Sequence, residues 1–291
     1  MESQKLRIGM IIMKTSSNSK IYPLVSVDWL NNHLNDSEIL VFDASMDKVT
    51  SDTNASEELQ IPNAQFFDIK NVFSDISAPF PSTVPSEELF IKEAQKLGVN
   101  SDSRIVVYDD KGIYSSARVW YLFRAFGFNN IAVLDGGLPK WKAANYPLKT
   151  KSSQTKPNGN FIAHYDSEKF KFFNDIQKSS INKHHLIIDA RSENRFKGIE
   201  PEPRKGLRSG LIPNSVNIPF SNLLVDGQCF KSKEEIQKEF DAVNTNNEHL
   251  VFSCGTGITA CVLALGAELI GKSDVSVYDG SWTEYGSLTT E

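Results

Sequence analysis

Residues 249–272 read HLVFSCGTGITACVLALGAELIGK, and this stretch decides the fold. The short apolar run Leu250–Phe252 predicts a buried strand that ends at a turn. An apolar run with helical character follows at about Ala260–Ile270, and Gly271 predicts the end of that helix. The glycine-bearing loop between the two runs begins at Cys254. The order of strand, loop and helix is the repeating unit of α/β folds.

Cys254 stands at the lip of a loop that is suited to hold an anion. Gly255 and Gly257 let the chain curl, so that successive N–H groups point inward. These donors and the positive end of the next helix together form an anion nest. A cysteine placed there should lose its proton readily, because a helix N-terminus favours the thiolate. We therefore predict that Cys254 is a nucleophile. The alternative is a buried structural cysteine, which would not need a curled loop.

Length and composition fit an ordinary globular protein of one large or two average domains. The chain has 291 residues, of which 40% are hydrophobic and 23% are charged. The net charge of −5 and the lack of a basic run give no support for binding to nucleic acid or to an acidic membrane surface. No apolar stretch of the sequence approaches the roughly 18 residues of a membrane span.

Cysteine and histidine usage bears on compartment and cofactors. The chain has three cysteines, which are too few for a disulfide framework, and an odd number cannot all pair within the chain. This usage favours a reducing compartment. We predict a cytoplasmic protein. A mitochondrial location is the alternative, because basic residues outnumber the single acid Glu2 near the N-terminus. The histidines show no ligand spacing with cysteine or carboxylate, so we expect no metal site.

The chain contains two copies of one pattern. Predicted strands alternate with predicted helices in both halves, which implies a mostly parallel sheet flanked by helices in each copy. Four landmarks recur after roughly 145 positions, which indicates a duplicated domain. These pairs are Asp43 and Asp189, Pro62 and Pro213, Asp109 and Cys254, and Asp135 and Asp279.

We therefore predict two tandem α/β domains. An N-terminal extension would span residues 1–21, the first domain 22–148 and the second domain 161–291. Residues 149–160 (KTKSSQTKPNGN) are polar and contain proline and glycine, which is typical of a linker. Because the first domain has Asp109 at the place of the cysteine, we expect only the second domain to perform chemistry. The first domain would supply one wall of a cleft.

The loop from Cys254 to Ala260 resembles the active-site loop of the rhodanese-type sulfurtransferases. Its sequence Cys-Gly-Thr-Gly-Ile-Thr-Ala is most similar to that of the 3-mercaptopyruvate sulfurtransferases, which typically read Cys-Gly-Ser-Gly-Val-Thr-Ala. Thiosulfate sulfurtransferases usually carry basic residues just after the cysteine, where this chain has Gly255 and Thr256. The resemblance covers residues 22–287 and implies two tandem rhodanese-like domains with an inactive N-terminal copy.

Three arginines follow the strand that opens the second domain. Ligands of parallel α/β folds bind at the carboxyl ends of strands, and guanidinium offers a bidentate fork to a carboxylate or a sulfur oxyanion. In isolation each arginine could equally be a solvated surface charge. In the mercaptopyruvate members, an arginine of a Gly-Arg-Phe-type segment and another that ends Glu-Pro-Glu-Pro-Arg hold the substrate carboxylate. The resemblance places these roles at Arg195 and Arg204. We expect Arg191 to be structural and paired with a carboxylate.

The resemblance also implies a reaction. The Cys254 thiolate would attack the sulfur of a small anionic donor, 3-mercaptopyruvate, and pyruvate would leave. The resulting persulfide would pass its outer sulfur to a thiol, such as thioredoxin or a small thiol, or to cyanide. Thr256, the second predicted catalytic residue, would donate a hydrogen bond, and neither a metal nor an organic cofactor would be needed. The backbone donors that stabilise the negative charge are predicted at Gly255, Gly257, Ile258 and Thr259.

One departure from the family concerns a proton relay. Several mercaptopyruvate members carry an Asp and a His in the first domain that form a relay with a loop serine. The corresponding places here fall near Lys70 and Ser82, and the serine is Thr256. Histidine is missing from the sequence between His33 and His164. The relay is therefore in doubt, although persulfide formation is not.

Three rival functions stay open at this point. Thiosulfate could be the main donor, although the uncharged Gly255 and Thr256 argue against it. A cysteine phosphatase would need an arginine six positions after the cysteine, where this chain has Ala260. A non-catalytic rhodanese-like binding module is the third rival, and the retained Cys254 argues against it.

Two further segments have mainly structural interpretations. Asp279-Gly-Ser-Trp282 resembles the closing segment of the family and predicts a turn with a helix cap, with Trp282 packed near the loop. Cys261 begins the helix after the loop, where packing is favoured over redox chemistry.

Overall fold

A computed structural model of the chain describes residues 21–46, 58–152, 156–182, 185–243 and 249–290. Most of the predicted N-terminal extension therefore lies outside the described residues. The strands up to residue 150 are Leu24–Val25 (β1), Ile39–Asp43 (β2), Leu59–Gln60 (β3), Ala64–Phe66 (β4), Arg104–Tyr108 (β5), Ile131–Leu134 (β6) and Lys149–Thr150 (β7). The helices of this half are Val27–His33 (α1), Glu87–Lys96 (α2), Ser116–Ala125 (α3) and Gly137–Ala143 (α4).

The second half repeats this succession. Its strands are Phe170–Lys171 (β8), Leu186–Asp189 (β9), Val216–Asn217 (β10), Leu224–Val225 (β11), Cys229–Phe230 (β12), Leu250–Ser253 (β13) and Val275–Tyr278 (β14). Its helices are Phe173–Asn182 (α5), Glu193–Phe196 (α6), Lys233–Asp241 (α7), Ala260–Leu269 (α8) and Ser281–Leu288 (α9). Short 3₁₀ turns occupy Ser167–Lys169 and Phe220–Leu223.

Each domain is built on a parallel sheet with equivalent topology. In the first domain the strand order is β1-β6-β5-β2-β4, and in the second it is β10-β9-β13-β14-β8. Neighbouring strands of both sheets pair in parallel. Read from opposite ends the two orders match strand for strand, with β5 of the first domain equivalent to β13 of the second. The predicted parallel α/β fold in two copies is therefore confirmed.

The duplication extends to one turn. In the Ile-Pro-Asn segments of the two domains, Asn63 has φ 64° and Asn214 has φ 61°. Asparagine tolerates this left-handed region better than most residues. In both turns the N–H three residues on donates to the isoleucine carbonyl, from Ala64 to Ile61 and from Ser215 to Ile212, each at 3.1 Å.

The helix predicted at about Ala260–Ile270 is observed as α8 with its end shifted by one residue. Helix α1 begins after Ser26, which caps it, because its hydroxyl accepts the Trp29 N–H at 3.1 Å. Helix α8 ends with Gly271 at φ 82°, the left-handed conformation that glycine adopts at a helix C-terminus.

The predicted linker is ordered against the first domain at both of its described ends. Strand β7 pairs in antiparallel fashion with β3, so Lys149–Thr150 extends a small sheet of the first domain. Farther along, the Gly159 N–H donates to the Gln95 carbonyl at 2.8 Å. Polar composition does not prevent such pairing, because the backbone supplies the hydrogen bonds. The domain boundaries themselves stay a prediction.

One hydrophobic core runs through both domains. Helices α3 and α8 pack against each other, and a single cluster of buried side chains extends from Phe42 beside α3 to Phe252 beside α8. Arg118, near the start of α3, contacts the loop that precedes α8, with its Nη1 3.4 Å from the Gly257 carbonyl oxygen. Within the residues described, none of the helices combines the length and apolar character that a bilayer crossing requires.

Candidate active site

Cys254 lies at the carboxyl end of the central strand of the second sheet. It is directly past β13 and is 1% exposed. The Cys254 carbonyl accepts the Trp282 N–H at 3.0 Å, and the Gly255 carbonyl accepts the Thr283 N–H at 3.0 Å. The first turn of α9 therefore holds the carbonyl groups of Cys254 and Gly255 in place.

Ser281 organises the interior of the loop. Its Oγ accepts the N–H groups of Cys254 and Gly257, both at 3.1 Å, and donates to the Tyr278 carbonyl at 2.8 Å. Ser281 has φ 49°, close to the φ 51° of Gly137 at the same place in the first domain. A left-handed serine is uncommon, and strain of this kind persists where surrounding bonds fix it. In the sequence, the signal for this role is that Ser281 falls where the first domain has Gly137.

Four backbone donors of the loop remain available to an anion. In the described part of the chain, the N–H groups of Gly255, Thr256, Ile258 and Thr259 make no hydrogen bond. Together with the N-terminus of α8 they form a positively polarised edge beside Cys254. Unpaired N–H groups next to a buried cysteine suit a thiolate or a persulfide anion.

Gly257 differs from its predicted role as a backbone donor to an anion, because its N–H donates to Ser281 Oγ. Gly257 instead shapes the loop. It has φ 73°, and an added Cβ would lie 2.7 Å from the Asp279 carbonyl oxygen. This position requires glycine for both its backbone angle and its lack of a side chain. Gly255 is less constrained, since an added Cβ there would meet Arg195 Nη2 at 3.4 Å.

A cavity of about 200 Å³ opens above the loop. Thr256 and Cys254 both line it, so the two predicted catalytic residues face the same space. Its other walls come from the loops after β5 and β9, the proline-rich segment after α6, the 3₁₀ turn that begins at Phe220 and the first turn of α9. The remaining lining residues are Tyr114, Ala190, Arg191, Ser192, Arg195, Glu202, Pro203, Arg204, Phe220, Gly255, Ile258, Thr259 and Thr283.

Arg191 is structural, as expected. Its Nη2 bonds Asp189 Oδ2 at 2.7 Å, and its Nη1 bonds Glu202 Oε1 at 2.7 Å. The guanidinium stacks over the Trp282 ring, 4.6 Å from its centroid. Asp189 is buried, and burial raises the pKa of its carboxyl against the opposing effect of Arg191. The ion pair thus ties the start of the arginine-bearing loop to the strand.

Arg195 and Arg204 both reach the cavity, but their surroundings differ. Arg195 donates from Nη2 to Glu202 Oε2 at 2.6 Å and from Nε to Glu202 Oε1 at 3.3 Å. Arg204 has no carboxylate within ion-pair distance among the residues described. Burial lowers the pKa of Arg204, yet a guanidinium stays charged at physiological pH. Arg204 is therefore the cation that remains available to an anionic ligand.

The first domain contributes Tyr114 to the cavity. Its ring meets Phe220 of the second domain edge to face, with centroids 6.0 Å apart. Burial raises the pKa of Tyr114 to about 12, with the nearby Cys254 as the next cause, so the phenol stays protonated at neutral pH. The predicted wall from the first domain is thus present. A lone tyrosine in a polar loop gave no sequence signal for this role.

The two first-domain positions near the family relay lie elsewhere. Lys70 is exposed and uses its N–H to bond Asp68. Ser82 is buried, and its carbonyl accepts a hydrogen bond from Arg118 Nη2 at 2.8 Å. The described residues that line the cavity include neither of them and no histidine. The described residues also hold no group of three or more His, Cys, Asp or Glu side chains placed to hold a metal ion.

The closing Asp279-Gly-Ser-Trp segment is more than a turn and a cap. Gly280 occupies the N-cap of α9 without a side-chain hydrogen bond, so the predicted helix cap is wrong. Asp279 points instead to the first domain, where Arg118 Nη2 donates to its Oδ1 at 2.8 Å. Trp282 is buried against the loop, as predicted, and its Nε1 donates to the Arg208 carbonyl at 2.9 Å.

Cys261 is a packing residue in the first turn of α8. It is fully buried, and its Sγ lies 3.2 Å from the Gly257 carbonyl oxygen. Burial raises the pKa of the Cys261 thiol to about 12. It therefore remains a neutral thiol, which agrees with the structural role that its place in the sequence favours.

Comparison with known proteins identifies the same pattern twice in the chain. A family model described as "Rhodanese-like domain" matches residues 26–144 and 174–288. A human protein named 3-mercaptopyruvate sulfurtransferase is 44% identical over 79% of this chain and 77% of its own length. The mitochondrial thiosulfate/3-mercaptopyruvate sulfurtransferase 1 of Arabidopsis thaliana is 38% identical over 93% of this chain and 78% of its own length.

A solved structure supports the same relationship at the level of the fold. The 3-mercaptopyruvate sulfotransferase SseA from Escherichia coli superposes with a TM-score of 0.80 and 32% identity. The match covers 90% of this chain and 99% of that one. The two proteins therefore share both domains, the arrangement of these domains and part of their sequences.

Proposed function

The chain belongs to the rhodanese-like domain family, and we propose that it is a sulfurtransferase that takes sulfur from 3-mercaptopyruvate onto Cys254. One observation carries this proposal. Cys254 lies beside four unpaired loop N–H groups and shares a cavity with Arg204, a cation without a carboxylate partner among the described residues. A thiol-bearing carboxylate such as 3-mercaptopyruvate has groups that match both features.

The first half-reaction loads the enzyme. The donor carboxylate binds Arg204 and Arg195 Nη1, which has no partner among the described residues, and this places the donor sulfur toward the Cys254 thiolate. The thiolate attacks this sulfur and forms an S–S bond as the C–S bond breaks. The electron pair of the C–S bond goes to carbon, and pyruvate leaves as its enolate and is then protonated. The product on the enzyme is a Cys254 persulfide.

The loop stabilises the persulfide in its anionic form. The N–H groups of Gly255, Thr256, Ile258 and Thr259 and the dipole of α8 are fixed before the reaction, so they need no rearrangement when charge develops. The Thr256 hydroxyl lies at the cavity and can donate one more hydrogen bond. A protein histidine is not required for these steps.

The second half-reaction unloads the enzyme. A thiolate acceptor attacks the outer sulfur, the S–S bond breaks, and Cys254 leaves as the thiolate. Reduced thioredoxin and small thiols fit this step as acceptors, and cyanide would give thiocyanate. For the compartment we keep the cytoplasm as the proposal. Mitochondria are the alternative, since the name of one relative specifies that location.

Thiosulfate is a second donor candidate, because the name of the same relative includes both donors. The uncharged loop positions Gly255 and Thr256 favour mercaptopyruvate as the better donor. Transfer from thiosulfate would use the same cysteine, with sulfite as the leaving group.

The decisive experiment measures pyruvate release from 3-mercaptopyruvate and thiocyanate formation from thiosulfate, with cyanide as acceptor in both assays. We expect the wild type to prefer mercaptopyruvate and Cys254→Ser to lose both activities. Mass spectrometry of the wild type after donor alone should show a gain of one sulfur on the Cys254 peptide. Sulfur transfer by Cys254→Ser, or inactivity of the wild type toward both donors, would contradict the proposal.

A further inference from the structure

The donor cavity contains a buried carboxylate that the reaction itself does not use. Glu202 lies in the proline-rich segment after α6, and its side chain is 1% exposed. It accepts from Arg191 Nη1 at 2.7 Å and from Arg195 Nη2 at 2.6 Å. A carboxylate in an anion-binding cavity weakens anion binding, so its presence needs a physical reason.

The charges of this wall balance except at one place. Asp189 and Glu202 are the two carboxylates, and they pair with Arg191 and Arg195 in a continuous chain of ion pairs. Arg204 stands outside this chain and has no such partner among the residues described. Counted over the described residues, the wall therefore presents one uncompensated positive charge, that of Arg204, to a ligand.

Glu202 also fixes the geometry of Arg195. The bond from Nη2 and the longer bond from Nε to the same carboxylate hold the guanidinium plane in a two-point contact. Nη1 of Arg195 makes no bond to a described residue, so it can donate a hydrogen bond to a ligand. The charge of the Arg195 guanidinium is compensated by Glu202. Arg195 can thus orient a carboxylate while Arg204 supplies the attraction.

Resting on the function proposed above, we propose that Glu202 is a specificity-determining residue of this enzyme. By neutralising Arg195, it sets the cavity to accept a donor with a single negative charge and to disfavour a dianion. 3-Mercaptopyruvate carries one carboxylate, whereas thiosulfate carries two negative charges. Because Coulomb attraction scales with the charge of the ligand, removal of the Glu202 charge favours the dianion more than the monoanion.

The test compares donor preference in charge-removing and charge-preserving variants. The readout is the ratio of kcat/KM for thiosulfate to kcat/KM for 3-mercaptopyruvate, with cyanide as acceptor. For Glu202→Gln we expect this ratio to rise by about tenfold or more over the wild type. Glu202→Asp keeps the charge but shortens the side chain. We expect it to slow both donors and to leave the ratio within about twofold of the wild-type value.

Glu200→Gln is the matched control, because it removes one negative charge from the same segment at an exposed position. We expect no change of the ratio in this variant. If Glu202→Gln turns over mercaptopyruvate with an unchanged ratio, the proposal for Glu202 is overturned and the sulfurtransferase proposal stands. If the wild type turns over neither donor, both proposals fall.

A measurement on the wild type covers the case in which Glu202→Gln does not fold. Sulfate and pyruvate serve as a dianionic and a monoanionic competitor against 3-mercaptopyruvate at constant ionic strength. We expect sulfate to inhibit no more strongly than pyruvate. Inhibition by sulfate that is about tenfold stronger would show a site adapted to a dianion and would overturn the proposal.

Discussion

Arg118 of the first domain and Asp279 of the second form a buried ion pair, with 2.8 Å between Arg118 Nη2 and Asp279 Oδ1. Their side chains are 1% and 2% exposed. The other Asp279 oxygen accepts the Val84 N–H at 2.8 Å, and Arg118 Nη1 lies 3.4 Å from the Gly257 carbonyl oxygen. The first domain thus holds in place the loop that carries Cys254, the proposed nucleophile.

The first prediction concerns this pair. Asp279→Asn should lower the free energy of unfolding by about 3–5 kcal/mol, because it leaves the Arg118 charge buried without a counter-ion. Chemical denaturation followed by circular dichroism measures the change. The control is Lys197→Met, which breaks an exposed ion pair with Glu193 and should leave stability nearly unchanged. Equal losses in the two variants would contradict a special role for the buried pair.

The second prediction concerns Ser281. Ser281→Ala removes the acceptor of two buried N–H groups, so we expect stability to fall by about 1–3 kcal/mol. Since one of these groups belongs to Cys254, kcat should fall about tenfold or more. Ser287→Ala is the control, because it removes an exposed hydroxyl from the same helix. A Ser281→Ala enzyme with wild-type kcat would show that the loop keeps its shape without this bond.

The third prediction compares two glycines with similar backbone angles. Gly257 has φ 73° and Gly271 has φ 82°, but only an added Cβ at 257 would clash, at 2.7 Å from the Asp279 carbonyl oxygen. Gly271→Ala should lose about 1 kcal/mol from the left-handed angle alone. Gly257→Ala should lose about 1–3 kcal/mol more and most of the activity. Similar losses of stability at both positions would mean that the loop moves away from the clash at little cost.

The fourth prediction concerns Arg204, which lines the cavity. Arg204→Met should lower kcat/KM for 3-mercaptopyruvate by about 10- to 100-fold, the range for loss of a hydrogen bond to a charged group. The adjacent Lys205→Met removes the same charge from an exposed position and should have little effect. Steady-state kinetics of both variants make the comparison. Equal effects would assign the loss to long-range charge and not to contact with the donor.

The fifth prediction concerns the reactivity of two cysteines in the folded protein. Iodoacetate at neutral pH should alkylate Cys254, which lines the cavity, and spare Cys261, which is fully buried with a thiol pKa of about 12. Peptide mass spectrometry reads out both sites. In denaturant the two should react alike. Labelling of Cys261 in the native state at the rate of Cys254 would contradict the packing described for α8.

The neutral reagent iodoacetamide adds an electrostatic control. Because the cavity is cationic, the anionic reagent should be favoured at Cys254 relative to a free thiol in solution. Arg204→Met should remove part of this preference. A preference that is the same in the variant would place the attraction in the loop dipoles alone.

Local patterns in the sequence predicted the fold with few errors. The strand at Leu250–Ser253 and the helix at Ala260–Leu269 follow from apolar runs and a glycine stop, which act over a few residues. The repeat then predicted the second sheet from the first. Two features were not predicted: strand β7 at the start of the linker segment pairs with β3, and Asp279 forms an ion pair with Arg118 of the first domain. Both depend on partners that are distant in the sequence.

The sequence by itself determined the candidate nucleophile and the residue types around it. Cys254 lies between a strand and a glycine loop, and the arginines follow β9, the neighbouring strand in the sheet. These short-range patterns indicate the chemistry. Only the tertiary structure decided which groups are available. Ser281 occupies the Gly257 N–H, Glu202 neutralises Arg195, and Arg204 remains without such a partner among the described residues. Charge balance and hydrogen-bond occupancy depend on atoms brought together across the fold, which no local pattern encodes.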